Sequence, residues 1–189
     1  MTMRKIIILL VLVLAPVHMA SACPGTPSLD STAVCRRACG TKLIYDLCID
    51  TMRRAGMDPC PCHAEAATVY AILAARVAEA SYDDTAAALN MQLQQNASLS
   101  GDERAAYRGC LSDYAAARDS IDRAAQQMMS SRNLGGLAQE FVGGMMSLEG
   151  CRDRLLAPWL YASSPLYPKV MDNRYKVLLA YLLAKLLGI

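Results

Sequence analysis

The chain has 189 residues, 54% of them hydrophobic, with 8 cysteines, 2 histidines and a formal net charge of +2. A charge so near zero argues against a strongly basic, nucleic-acid-binding surface. The small number of histidines excludes metal sites built from several imidazoles, and we expect no metal or cofactor. The length favours one domain with a sizeable core.

The first residues have the pattern of a secretory signal peptide over Met1–Ala22. Arg4-Lys5 precedes an apolar run, Ile6–Ala15, and the small residues Ala20-Ser21-Ala22 follow it as a cleavage site. An apolar run of about 10 residues is too short to span a bilayer, which takes about 20. We therefore predict a secreted protein that begins at Cys23 and is not held in a membrane.

The rest of the chain predicts an all-α protein. Residues 23–28 contain two prolines and a glycine, which predict an exposed arm. From Leu29 onward no segment alternates apolar and polar residues for long enough to indicate a strand. We predict a helical hairpin over 29–57, broken at Gly40-Thr41, and an antiparallel up-down four-helix bundle over 63–188, all within one domain, 29–189.

The four long helices of this bundle are predicted at 63–95, 101–129, 137–156 and 172–187. A capping box, Ser100-Gly-Asp-Glu103, marks the start of the second. A linker with three prolines, Ala157–Pro168, precedes the last helix. That helix is apolar nearly all round and is predicted to be the most buried.

Apolar residues at helical spacing predict which faces form the core. The predicted stripes are Val69, Ile72, Leu73 and Val77, then Ala86, Leu89 and Leu93, in the first long helix, Tyr107, Leu111, Tyr114, Ile121, Ala125 and Met128 in the second, and Leu137, Phe141, Met145, Leu148 and Leu155 in the third. Gly143, Gly144 and Gly150 each weaken the third helix by up to about 1 kcal/mol relative to alanine. Their presence predicts close approach to a neighbouring helix.

The cysteines are expected to form disulfides, because the chain is exported. Cys110 and Cys151 lie on the second and third long helices and can meet if those helices are antiparallel neighbours. The loop of about 40 residues that they close is worth about 4 kcal/mol in the chain-entropy model. Cys60-Pro-Cys62-His63 has the residue types of a metal site, with Asp58 nearby, but oxidising conditions favour a disulfide there.

Catalytic patterns are weak in this sequence, so we predict that the chain is not an enzyme. Asp83-Asp84 and Asp102-Glu103 are adjacent carboxylates, which on a helix point about 100° apart and cannot share one site. After removal of the leader His63 is the only histidine, which leaves no convincing Ser/His/Asp set. No glycine-rich phosphate loop is present either.

Three short sequences add smaller expectations. Asn96-Ala97-Ser98 is an N-glycosylation sequon in a polar turn. Met128-Met129 and Met145-Met146 suggest either a soft binding surface or core filling. Core filling is the preferred interpretation, because one methionine of each pair lies on a predicted core stripe.

Taken in chain order, the cysteines and their surroundings resemble the plant invertase and pectin methylesterase inhibitors. The matching features are Tyr45 shortly before Cys48, Cys110-Leu-Ser-Asp-Tyr114, Cys151-Arg-Asp153, Ser164-Pro165-Leu166 and the apolar end Leu182–Leu187. The resemblance covers nearly all of the chain after the leader. It implies a four-helix bundle with an N-terminal hairpin and two disulfides.

The resemblance also implies the disulfide pairing. Cys110 pairs with Cys151. Cys48 pairs with Cys39 by the commoner short spacing, or with Cys35 by the longer spacing that some members show, and Cys39 is favoured. Four cysteines exceed the family pattern and have no assigned partner: Cys23, Cys35, Cys60 and Cys62.

The function implied is steric inhibition of a plant carbohydrate-active enzyme, by a monomer that forms a 1:1 complex in the apoplast or vacuole. Some invertase inhibitors carry Pro-Lys-Phe in the turn after the second long helix, where this chain has Leu134-Gly135-Gly136. Pectin methylesterase is therefore the first target and acid invertase the second, although Gly150 replaces a threonine common in the pectin methylesterase inhibitors. Two other classes stay open: a non-inhibitory extracellular bundle, and a helical carrier with an apolar cavity.

Overall fold

The computed structural model describes residues 29–57, 66–130, 134–156 and 164–189. These residues form six α-helices and a terminal 3-10 turn. The helices are α1 (Ser31–Ala38), α2 (Lys42–Arg54), α3 (Ala67–Gln95), α4 (Gly101–Ser130), α5 (Leu137–Leu155) and α6 (Tyr167–Ala184), and the 3-10 turn is Lys185–Leu187. The predicted leader, the arm, and the sequence from Asp58 to Glu65 lie outside the described residues.

The two short helices form the predicted hairpin. The Asp30 carboxylate accepts a hydrogen bond from the backbone N–H of Ala33 at 2.7 Å and caps α1, and the Thr41 hydroxyl caps α2 in the same way at Ile44. Side-chain caps of this kind satisfy amides that have no partner inside a helix. The hairpin packs on α3 and α6, and the Tyr70 hydroxyl donates to the Leu29 carbonyl at 2.8 Å.

The four long helices form a closed ring in the order α3, α4, α5, α6, each packed on its two neighbours. The predicted fold class is confirmed: an all-α, disulfide-stapled, antiparallel four-helix bundle preceded by a hairpin. The capping box also forms, because the Ser100 hydroxyl accepts from the Glu103 amide while the Glu103 carboxylate accepts from the Ser100 amide.

The buried face in the first part of α3 is not the predicted one, whereas Leu89 of the second predicted stripe is fully buried. Val69 is 36% exposed, and Ile72, Leu73 and Val77 are half-buried. The core is instead filled by a face of alanines and tyrosines: Tyr70, Ala71, Ala74, Ala75, Ala78 and Tyr82. Alanine gives no strong hydrophobic signal in the sequence, but its small side chain allows neighbouring helices to pack close to α3.

The last helix begins at Tyr167, five residues before the predicted start at Asp172. Pro168 lies in its first turn, where a missing N–H costs nothing because that donor has no partner in a helix. Helix α6 contacts α3, α5 and both hairpin helices. These neighbours on several sides explain why its sequence is apolar nearly all round.

A buried polar cluster joins α3, α4 and α6. The Asn173 side-chain amide, 1% exposed, donates to the Thr85 hydroxyl at 2.8 Å and to the Tyr114 hydroxyl at 2.9 Å. Its carbonyl accepts from the Ser81 hydroxyl, which in turn accepts from the Lys176 ammonium. Burial raises the pKa of Tyr114 to about 12, so its phenol stays neutral at physiological pH.

Candidate interaction surface

Helices α4 and α5 approach each other very closely. Cys110 and Cys151 form a disulfide with their Cα atoms 4.5 Å apart. The backbone O of Ala117 lies 3.6 Å from the position that a Cβ would occupy on Gly144, and the Asp113 carboxylate lies 3.3–3.4 Å from that position on Gly150. The predicted close approach therefore holds at Gly150, where a Cβ would be tightly placed, whereas a Cβ on Gly144 would meet α4 at an ordinary van der Waals distance.

Gly109 on α4 has the same role, and the sequence analysis missed it. A Cβ there would lie 2.7–2.8 Å from the guanidinium end of Arg154, which crosses over the glycine to bond the Asp113 carboxylate at 3.0 Å. The signal was present in the sequence. Gly109 precedes Cys110 by one residue, and a glycine beside a bridging cysteine indicates a close helix contact.

The second disulfide joins Cys35 and Cys48, with their Cα atoms 5.7 Å apart, so the favoured partner of Cys48 was the wrong one. Cys39 lies past the end of α1 with extended backbone, φ −102° and ψ 117°. Cys35 lies one turn inside α1 and is level with Cys48 across the hairpin, whereas Cys39 is in the connecting turn itself.

Cys39 is a half-buried free thiol among the described residues. Burial raises its pKa to about 11, which leaves little nucleophilic thiolate at neutral or acid pH. Cys23, Cys60 and Cys62, together with His63 and Asp58 of the hypothetical metal site, lie outside the described residues. Within the described part of the chain, no group of three or more metal-ligating side chains comes together.

The adjacent carboxylates take structural roles. Across the seam between α3 and α4, Arg118 forms ion pairs with Asp83 at 2.7 Å and with Glu79 at 3.2 Å. Glu79 also bonds Arg76 on its own helix, and Arg76 crosses the seam to Asp122 at 2.9 Å. Arg118, which interrupts the predicted stripe of α4, therefore belongs to this exposed seam. Glu103 is used in the capping box, where its carboxylate accepts from the Ser100 amide.

Helix α5 carries exposed apolar side chains on the outer side of the bundle. The hairpin packs on α3 and α6, leaving exposed side chains along the other two helices. On α5, Val142 and Met146 are one turn apart and 41% and 68% exposed. Large apolar side chains exposed next to each other are typical of interaction surfaces.

A cavity of about 180 Å³ continues this apolar surface into the seam between α5 and α6. Its lining residues are Met145, Glu149, Arg174, Tyr175 and Leu178. We name the apolar part of this surface, Val142, Met145, Met146, Tyr175 and Leu178, the α5 strip. The Glu149 carboxylate contacts both Arg152 and Arg174, so an ion-pair cluster borders the strip.

The methionine pairs divide between core and surface. Met128 is 1% exposed and Met145 is half-buried, whereas Met129 and Met146 are exposed. Met128 is therefore in the core and Met145 packs against it, whereas Met129 and Met146 are exposed at the surface. At the end of the bundle, an open groove of about 380 Å³ separates the turn Leu134–Gly136 from the C-terminal residues Leu187–Ile189.

The structure was compared with known proteins. No family model matches the sequence, and no curated protein matches it. The fold matches the crystal structure of a mutant form of a pectin methylesterase inhibitor from Arabidopsis, with a TM-score of 0.65 over 84% of this chain and 97% of that chain. The chain has the fold of a pectin methylesterase inhibitor.

This match has 13% sequence identity, so the likeness concerns the fold. The resemblance seen in the sequence is confirmed at that level. The matched protein is an inhibitor. In the described residues no helix is both long and apolar enough to cross a membrane.

Proposed function

We propose that this protein is a secreted inhibitor of pectin methylesterase that blocks the active-site cleft as a monomer in a 1:1 complex. The observation that carries the proposal is the fold match over 97% of a pectin methylesterase inhibitor. Some invertase inhibitors carry a lysine and an aromatic ring in the turn after the second long helix. The corresponding turn here, Leu134-Gly135-Gly136, has neither. Acid invertase is therefore the second candidate target.

The α5 strip is the contact surface that we assign to this inhibitor. Val142 and Met146 are exposed, Met145, Tyr175 and Leu178 are half-buried, and an ion-pair cluster borders these apolar side chains. Exposed apolar anchors surrounded by polar groups dominate the binding energy of many interfaces. No covalent chemistry is required, because occupation of the cleft by a rigid bundle excludes the substrate.

The first experiment measures both enzymes. Oxidised, refolded Cys23–Ile189 is titrated into pectin methylesterase and into acid invertase at mildly acid pH. We expect stoichiometric loss of pectin methylesterase activity with invertase unaffected. Loss of invertase activity alone would identify the second target. No effect on a broad panel of either enzyme would favour a non-inhibitory extracellular bundle.

A pair of variants then tests the surface. Met146→Asp places a charge in the centre of the strip and is expected to weaken inhibition at least tenfold, which corresponds to about 1.4 kcal/mol. Leu43→Asp is the matched control, because Leu43 is 55% exposed on the hairpin. Equal inhibition by both variants would place the contact elsewhere without contradicting the inhibitory function.

A further inference from the structure

The turn between α3 and α4 presents Asn96 in an arrangement suited to a covalent modification. The Asn96 side-chain carbonyl accepts hydrogen bonds from the Ser98 hydroxyl at 2.6 Å and from the Ser98 amide at 3.2 Å. Asn96 is half-buried, and Ala97 and Ser98 are exposed. Among the described residues, the Asn96 side-chain nitrogen has no hydrogen-bond acceptor. This nitrogen therefore makes no hydrogen bond that a modification would break.

The surrounding structure holds this turn without using that nitrogen. The Arg104 guanidinium donates to the Leu93 carbonyl at 3.1 Å and to the Asn96 carbonyl at 3.0 Å. The Asn96 amide completes the last turn of α3 by donating to the Gln92 carbonyl. These hydrogen bonds to main-chain groups therefore fix the turn and leave the side-chain nitrogen unused.

We propose that Asn96 carries an N-linked oligosaccharide. Asn96-Ala97-Ser98 is the one Asn-X-Ser/Thr sequence in the chain. The donor is an oligosaccharide linked to a lipid through pyrophosphate, supplied by the secretory pathway. The Asn96 side-chain nitrogen forms a bond to C1 of the first sugar, the bond from C1 to the pyrophosphate oxygen breaks, and a proton from the nitrogen is lost to base.

Asn96 lies at the end of α3 that is remote from the start of the hairpin. Helix α3 is about 40 Å long at 1.5 Å per residue. Asn96 follows its last turn, whereas Tyr70, which bonds Leu29 just before the hairpin, is in its first turn. The proposal depends on entry into the secretory pathway and not on inhibition. We therefore expect Asn96→Gln to keep any inhibitory activity.

The experiment expresses the full chain, with its own leader, in plant cells. The expected result is a secreted protein carrying one oligosaccharide, which an amidase removes while converting the modified asparagine to aspartate. Asn96→Gln and Ser98→Ala should both abolish the modification, and Ser98→Thr should keep it. Asn96→Gln replaces the acceptor residue, and Ser98→Ala removes the hydroxyl that the recognition sequence requires. Loss of the oligosaccharide in both variants therefore cannot be explained by a folding defect in one of them.

A control variant shows whether the chain reaches the modifying enzyme. Met129→Asn, made in the Asn96→Gln background, completes an Asn-Ser-Ser sequence at an exposed position, 53% accessible, at the end of α4. Modification of this control while the native chain stays unmodified would overturn the proposal. Absence of oligosaccharide from both proteins would overturn it too, and the predicted leader with it.

Discussion

The α4–α5 and α3–α6 interfaces join antiparallel helices of one bundle with different chemistry. Between α4 and α5, glycines lie opposite larger side chains, as Gly150 lies opposite Asp113, and a disulfide links the two helices at Cys110. Between α3 and α6, the Asn173 amide bonds Thr85 on the opposite helix. The first contact depends on the size of side chains, and the second depends on their hydrogen bonds.

This difference shows how an apolar bundle fixes its helix register. Apolar side chains alone tolerate small shifts along a helix, because hydrophobic attraction is not directional. In α4–α5 the register is set by glycines opposite larger residues and by the covalent bond. In α3–α6 it is set by directional hydrogen bonds in a buried site, where an unpaired partner is costly.

The largest expected effect is loss of the α4–α5 disulfide. The double variant Cys110→Ser/Cys151→Ser releases a loop that spans 41 residues, and we expect the free energy of unfolding to fall by about 4 kcal/mol. Urea unfolding followed by circular dichroism measures this.

The control for that variant is Cys35→Ser/Cys48→Ser, which opens a loop spanning only 13 residues. Its expected loss is smaller, about 3 kcal/mol in the same model. A bundle that unfolds at the same urea concentration with and without the Cys110–Cys151 bond would contradict a role for this bond in stability.

A smaller loss is expected at the polar α3–α6 contact. Asn173→Ala leaves the hydroxyls of Thr85 and Tyr114 without this buried partner, and we expect a loss of about 1–3 kcal/mol. Asn90→Ala, at an exposed position on α3, is the control and should change stability little. The same urea measurement applies.

The triple variant Asn173→Leu/Thr85→Val/Tyr114→Phe sharpens that test. It removes the polar groups together, so that few buried groups lose their partners, and its loss should be smaller than that of Asn173→Ala. If the triple variant is the less stable of the two, the hydrogen bonds contribute more than the avoidance of unpaired groups.

The smallest effects are expected at two glycines of the α4–α5 contact. A Cβ on Gly144 would meet its neighbours at ordinary van der Waals distances, so Gly144→Ala should stabilise the helix by up to about 1 kcal/mol. Gly109→Ala has the same helical advantage but displaces the Arg154 side chain from Asp113. We expect a smaller gain or none, read from the thermal unfolding midpoints. A larger gain at Gly109 would show that the Arg154 side chain adapts at no cost.

The sequence predicted much of the fold because several signals agreed. The stripes of α4 and α5 are buried apart from Leu111 and Met145, which are half-buried. The polar residues of the capping box act over three residues, so their geometry follows from the sequence alone. The exposed position of Met146 was only partly predicted, since the sequence showed two methionine pairs but not which member of each pair would be exposed.

Other features depended on contacts between distant parts of the chain. The alanine face of α3 is buried because α4 and α6 pack on it, and no hydropathy pattern marks such a face. The partner of Cys48 depended on where α1 ends, and Cys35 and Cys39 are both close to that end. Asn173 lies on the stripe of Val170 and Val177, but its partners come from α3 and α4.

The sequence by itself determined the helices, their approximate ends, the cysteines available for disulfides and the glycines that permit helices to pack closely. These properties arise from interactions within a few residues, which a linear pattern records directly. The tertiary structure decided which face of α3 is buried, which cysteine bonds Cys48, what surrounds Asn173 and which methionines remain at the surface. Each of these depends on the mutual position of helices far apart in the chain, since burial and bonding are properties of pairs of surfaces.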